Sequence, residues 1–137
     1  METMEKLFNF TSIAIGVAGG ALAQVMGGFD ALIYALVLLM VLDYLTGLIK
    51  GIYFKKLSSE AGFKGLLKKM LILIMVALAN AVQDLLGVDA AIRETVIMFY
   101  AANEAISILE NTAEVMPNMP SGLKEMLLKL RGSGENI

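Results

Sequence analysis

Two carboxylates, Asp43 and Glu104, stand inside long apolar runs, and Asn80, Asn103, Ser107 and Asn111 are polar side chains at comparable positions. On insertion scales a charged carboxylate deep in a bilayer costs roughly 2.5 to 3.5 kcal/mol, so these groups must face protein or water rather than lipid. Two chemistries are open to them. In one they form a satisfied buried network, in which Asp43 bonds Thr46 or reaches Lys50, and Glu104 is protonated or accepts from Asn80. In the other they line an aqueous path, with Asn103, Ser107 and Asn111 recurring every four residues beside Glu104. Most enzyme chemistry is not among the options. The chain has no His, Cys or Trp, which excludes Ser-His and Cys-His nucleophiles, imidazole or thiolate metal centres and disulfides. No catalytic residue, metal, cofactor or nucleic-acid partner is expected.

The elements that must position these groups are written in the hydropathy. Of 137 residues, 58% are hydrophobic and 18% are charged, against roughly 25% charged in a soluble domain. A mean hydropathy of +0.73 leaves more apolar surface than so small a domain has interior to hide. The composition predicts an all-α integral membrane protein, a single membrane domain over 1–137. Spans are expected over about 7–29, 31–49, 70–88 and 91–109, each long enough for about 30 Å of hydrocarbon. Gly27, Gly28 and Asp30 form the turn between the first two.

Between the second and third spans, Lys50, Lys55, Lys56, Lys64, Lys68 and Lys69 face a single acid, Glu60. These lysines are expected at the membrane surface, where anionic lipid attracts them weakly. A short surface helix capped by Ser58 or Ser59 would carry Phe63, Leu66 and Leu67 on one face. After Pro117 and Pro120, a second amphipathic helix is expected over 121–131, and the last residues should be loose. Because basic loops stay cytoplasmic, four spans with both termini inside place ten of the eleven basic residues in the cytoplasm and leave only Arg93 outside. A three-span alternative has the first segment lying on the surface or crossing late.

Gly16 and Gly20 make a GxxxG pair that Gly19, Ala23 and Gly27 continue, and Gly47 and Gly51 make another. Such faces let helix backbones approach closely, within one protomer or between copies of a homo-oligomer.

Three runs carry a family resemblance: DYLTGLIK from Asp43 to Lys50, LSSEAGFKGLLKK from Leu57 to Lys69, and NEAISILEN from Asn103 to Asn111. Together they resemble the bacteriophage holin family that includes the toxin-secretion holins of clostridial type, over residues from about 30 to 131. The resemblance implies a small membrane protein that accumulates harmlessly in the bacterial cytoplasmic membrane. It then assembles abruptly into holes that release an endolysin, or in related members a toxin, to bring about host cell lysis. An antiholin is a further partner that it allows. Asp43, Gly47, Ser59, Gly65, Lys69, Asn103, Glu104, Ser107, Glu110 and Asn111 fall on the family's motifs, without individual roles. A small ion channel or four-helix transporter is the alternative that composition allows.

Overall fold

Each apolar run becomes one helix, and two of the polar residues between them, Asp30 and Ser58, serve as caps. A computed structural model describes residues 1–87, 91–123, 125, 126 and 129, with helices α1 (Glu2–Val25), α2 (Ala31–Tyr53), α3 (Ser59–Leu86) and α4 (Ile92–Val115) and no strand among the described residues. Helix α1 stops because Gly27 and Gly28 take φ of +92° and +99°, a region closed to most side chains. Their N–H groups close the last turn on the carbonyls of Gln24 and Ala23, at 3.0 and 2.8 Å. Asp30 then opens α2, its carboxylate accepting the Ile33 N–H at 3.0 Å. Helix α2 ends in the same way, with Lys55 at φ +55° and the Lys56 N–H donating to the Gly51 carbonyl at 2.8 Å. Ser58 caps α3 by accepting the Ala61 N–H.

Two expected elements differ. The surface helix is not separate: residues from Ser59 onward continue without a break into the third span, giving a 28-residue α3 about 42 Å long. The physical reason is that residues 59–69 contain no proline or helix-ending turn, so the helix runs on through the charged stretch. In the tail, residues 121–123, 125, 126 and 129 are helical, and the rest of the predicted 121–131 helix and the chain end beyond it lie outside the described residues. So does the end of the third predicted span, with Val88, and Asp89 of the next turn.

Helices α2, α3 and α4 form the bundle. Helix α4 packs chiefly along α2, and α3 along α4. Partners ascend together on α2 and α4 (Asp30 with Arg93, Thr46 with Asn111, Lys50 with Glu114), so those two helices run parallel. Gln83 with Arg93 and Lys69 with Glu104 set α3 antiparallel to them. The inward faces repeat at three and four residues: Ile33, Leu36, Met40, Asp43 and Gly47 on α2; Ala79, Val76, Ile72, Lys69, Gly65 and Gly62 on α3; Arg93, Ile97, Tyr100, Glu104, Ser107 and Asn111 on α4. This is the seam spacing of closely packed helices. One half of the seam is an apolar core of Ile33, Leu36, Met40, Ile72, Val76 and Ile97. The half toward the α2–α3 loop is polar. Outside, Leu38, Val41, Leu45, Ile74, Leu78 and Phe99 are exposed, so the surface offered to lipid is apolar while the polar groups turn inward.

Helix α1 stands apart. It has no buried residue, meets the other helices only against α3, and a Cβ added at Gly16, Gly19 or Gly20 would meet nothing within 4 Å. Gly27, expected on its small-residue face, lies beyond the helix end because its positive φ closes the turn. Helices α1, α2 and α3 are long and apolar enough to cross a membrane. Helix α4 has the length, but its polar residues keep its hydropathy lower; the three apolar helices therefore include the first segment, and it is the fourth that falls short.

Candidate functional site

Three helices converge on one ion triad. The Lys69 ammonium on α3 lies 2.7 Å from Asp43 Oδ2 on α2 and 2.5 Å from Glu104 Oε2 on α4. All three side chains are at most 15% exposed. A lone carboxylate here would carry the full cost of desolvation, whereas a shared ammonium with two short charge-assisted bonds offsets much of it. Asn111 completes the layer from α4, donating from Nδ2 to Asp43 Oδ1 at 3.2 Å and to Thr46 Oγ1 at 3.1 Å. Gly47 lies beside it: a Cβ there would be in ordinary contact with Asn111 Nδ2, at 3.8 Å. One turn farther out, Lys50 pairs with Glu114 at 3.3 Å.

The partners differ from those expected. Asp43 neither reaches Lys50 nor accepts from the Thr46 hydroxyl through its carboxylate, since that hydroxyl donates to the Asp43 backbone carbonyl. Glu104 is paired with Lys69 rather than Asn80. Lys69, grouped in sequence with the surface lysines, points into the bundle, because one residue along a helix turns the side chain by about 100°, which leaves Lys68 exposed at the edge of the loop-end cavity. Lys55, Lys56, Lys64 and Lys68 remain exposed. A Cβ at Gly51 would lie 3.2 Å from Leu57 Cδ1 of its own following loop, so Gly51 packs on that loop rather than pairing with Gly47 against a helix.

Of the polar intramembrane set, Asp43, Glu104, Ser107 and Asn111 surround one cavity of about 830 Å³ at the loop end of the bundle. Asn103 is exposed on the other side of α4. Asn80 lies at the opposite end, where its Nδ2 donates to the Val25 carbonyl at 3.2 Å and ties α3 to the end of α1.

That opposite end holds a second polar cluster, centred on Arg93. Its guanidinium is 4% exposed and holds the α1–α2 turn through three bonds. Nε donates to the Met26 carbonyl at 2.5 Å, Nη2 to the Gly28 carbonyl at 3.1 Å, and Nη1 to Asp30 Oδ2 at 2.9 Å. The Gln83 side chain accepts the Arg93 backbone N–H at 3.0 Å. The Arg93 bond, with the Ile33 N–H second, holds the Asp30 carboxyl below the usual carboxylate range. A folded-state pKa so lowered means that the clamp's contribution is complete above the ordinary carboxylate value and is lost only as pH falls through the lowered one. By charge distribution alone, Arg93 is only the one basic residue outside. The signal that finds both Arg93 and Lys69 is the three-four spacing, which puts each on the same face as its helix's buried residues.

Among the described residues no group of His, Cys, Asp or Glu is arranged to hold a metal. The arrangement keeps charge inside the bundle, both carboxylates of the triad being met by Lys69.

The sequence profile of the bacteriophage holin family matches residues 20–132. The chain is 42% identical over 125 residues to an uncharacterized protein of Listeria monocytogenes, covering 91% of this chain and 87% of that one. It is 38% identical over 128 residues to an uncharacterized 14.9 kDa protein encoded in the nagH 3' region of Clostridium perfringens, covering 93% and 97%. To the probable holin of Bacillus phage phi105 it is 34% identical over 119 residues, covering 87% and 84%. No solved structure matches. A family match over most of the length, a phage relative of that name and apolar helices enclosing a polar layer agree: the chain belongs to the bacteriophage holin family, which is not a family of enzymes, and it is a membrane protein.

Proposed function

We propose that the protein is a hole-forming holin of the bacterial cytoplasmic membrane, assembling as a homo-oligomer to let an endolysin or toxin out. The observation that carries this is the pairing of a polar layer turned inside the bundle with a helix that packs on almost nothing. The triad ties α2, α3 and α4 together, and three helices about 10 Å across so joined leave no bore for a folded protein within one protomer. Passage of a protein therefore needs a wall of many copies. Helix α1, without a buried residue and with its Gly16–Gly20 face open, supplies the surface that a second copy would cover. In the wall, Asp43, Asn80, Asn103, Glu104, Ser107 and Asn111 would turn toward water.

Cells expressing the protein should lose membrane potential abruptly after a delay that shortens as expression rises, with release of a co-expressed endolysin. Replacing Gly16 and Gly20 together by Ile should lengthen the delay and shorten crosslinking ladders. Steady ion leak with no protein release at any expression level would make the protein a small channel and sink the large-hole reading.

The membrane arrangement that fits is four crossings with both termini in the cytoplasm. Helix α4 lies alongside α2 from the Arg93–Asp30 pair to the Glu114–Lys50 pair, about 30 Å by helix rise, so a crossing α2 carries α4 with it. Its charges are met inside the bundle, which offsets the hydropathy it lacks. Cysteines introduced singly at Thr3 and Lys56 should both label only after the inner face is opened. Labelling of Thr3→Cys from outside intact cells, with Lys56→Cys protected, would leave α1 uncrossed.

A further inference from the structure

We propose that the cavity at the loop end of the bundle binds the headgroup of an anionic phospholipid, with the phosphate held between Lys56 and Lys68. The inference rests on the membrane placement of the bundle but not on hole formation. Gly47 and Gly51 on α2 and Gly62 and Gly65 on α3 line the space without side chains of their own, and the groups nearest their Cβ positions are Asn111, Leu57 and Tyr44. Its volume, about 830 Å³, is within the range of small-molecule sites, about 300 to 1,000 Å³.

The floor of the cavity calls for no cation. Asp43 and Glu104 are both taken by Lys69, and Glu114 by Lys50. The lining lysines left over are Lys56 and Lys68, which have no acidic partner among the described residues. One comes from the turn after α2 and the other from the third turn of α3, so two cations from different elements face one opening. The start of α3 lines the same mouth, and its dipole adds to the preference for negative charge.

The choice of a lipid over a free anion follows from the rest of the lining. Leu48, Phe54 and Leu57 make one wall apolar. Leu66, Leu67 and Met70 continue the exposed apolar surface along α3, a track for acyl chains below a headgroup. Anionic lipid also concentrates at the cytoplasmic surface, where this end of the bundle lies.

The test is lipid retention by the full-length protein in detergent, read by native mass spectrometry with phosphatidylglycerol and, separately, phosphatidylcholine. Phosphatidylglycerol should be retained and phosphatidylcholine not, and Lys56→Gln with Lys68→Gln should weaken retention by about tenfold or more. The pair Lys55→Gln with Lys64→Gln removes the same charge outside the cavity and should retain lipid as the parent does. Gly65→Leu fills the cavity without changing charge and should also lose lipid; where it fails to fold, the two lysine pairs still decide. Equal losses in both lysine pairs, or equal retention of the two lipids, would overturn the proposal. So would displacement of the lipid by inorganic phosphate as efficiently as by lysophosphatidylglycerol. A lysis assay on the same variants reports separately on hole formation.

Discussion

Lys69→Met should strip the protein from the membrane fraction, or lower its unfolding temperature in detergent more than loss of any exposed lysine does. The ammonium is the shared partner of Asp43 and Glu104, and removing it leaves two carboxylates side by side in a nearly closed layer. Breaking a buried pair from one side costs about 3–5 kcal/mol, a large part of the roughly 5–15 kcal/mol that holds a domain together. Lys64→Met is the control, since Lys64 is exposed and pairs only with exposed Glu60 one turn away, a bond worth a few tenths of a kcal/mol at most. Neutralising the layer as a whole, with Asp43→Asn and Glu104→Gln added to Lys69→Met, should restore much of the accumulation because no unpaired charge remains. Glu104→Gln alone keeps an acceptor for Lys69 and should keep lytic activity with altered timing, whereas Glu104→Leu should not. A transporter with an obligatory proton cycle would lose activity in Glu104→Gln. If Lys69→Met accumulates and melts like the parent, the triad does not hold the helices together.

The triad also shows what a sequence of this kind reveals. Long uncharged runs are unambiguous, so the helices and their membrane character can be read directly, as can the fact that Asp43 and Glu104 need a partner. Which partner cannot be read from distance along the chain. Lys69 follows Lys68 and ends a cationic run that looks like a surface loop. Its direction depends on where α3 begins: from Ser59, Lys69 falls on the face of Gly62, Gly65, Ile72 and Val76, and from Met70 it would lie outside the helix. The turn at Gly27 and Gly28 is visible as a glycine pair, but the side chain that clamps it comes from Arg93, 65 or more residues later. The cavity is hidden in the sequence for a further reason, because the glycines that read as packing motifs line it and the groups they face, Tyr44, Leu57 and Asn111, cannot be read from glycine spacing.

Gly27→Val should disable the protein by a different route, leaving the α2–α4 bundle folded while releasing the base of α1. A Cβ at Gly27 would lie 2.5 Å from both Arg93 Nε and Asn80 Oδ1, distances that require one of them to leave. Both hold the end of α1, Arg93 through the Met26 carbonyl and Asn80 through the Val25 carbonyl. Hydrogen bonds from a charged group are worth about 1.5–3 kcal/mol each, so losing the Arg93 set outweighs the backbone cost of a branched residue at φ +92°, roughly 1–2 kcal/mol. Gly28→Ala separates the two effects: it sits at φ +99° with nothing within 4 Å of its Cβ position, so it bears the strain without the collision. Gly27→Val should therefore abolish lysis where Gly28→Ala only delays it, and Arg93→Leu should reproduce the stronger defect. Because both act on one clamp, combining Gly27→Val with Arg93→Leu should add little to either alone. Since α1 touches the bundle only near this turn, the clamp fixes the direction in which its open glycine face is presented to a neighbouring copy. Lysis by Gly27→Val on the schedule of Gly28→Ala would show that the direction of α1 does not matter for assembly.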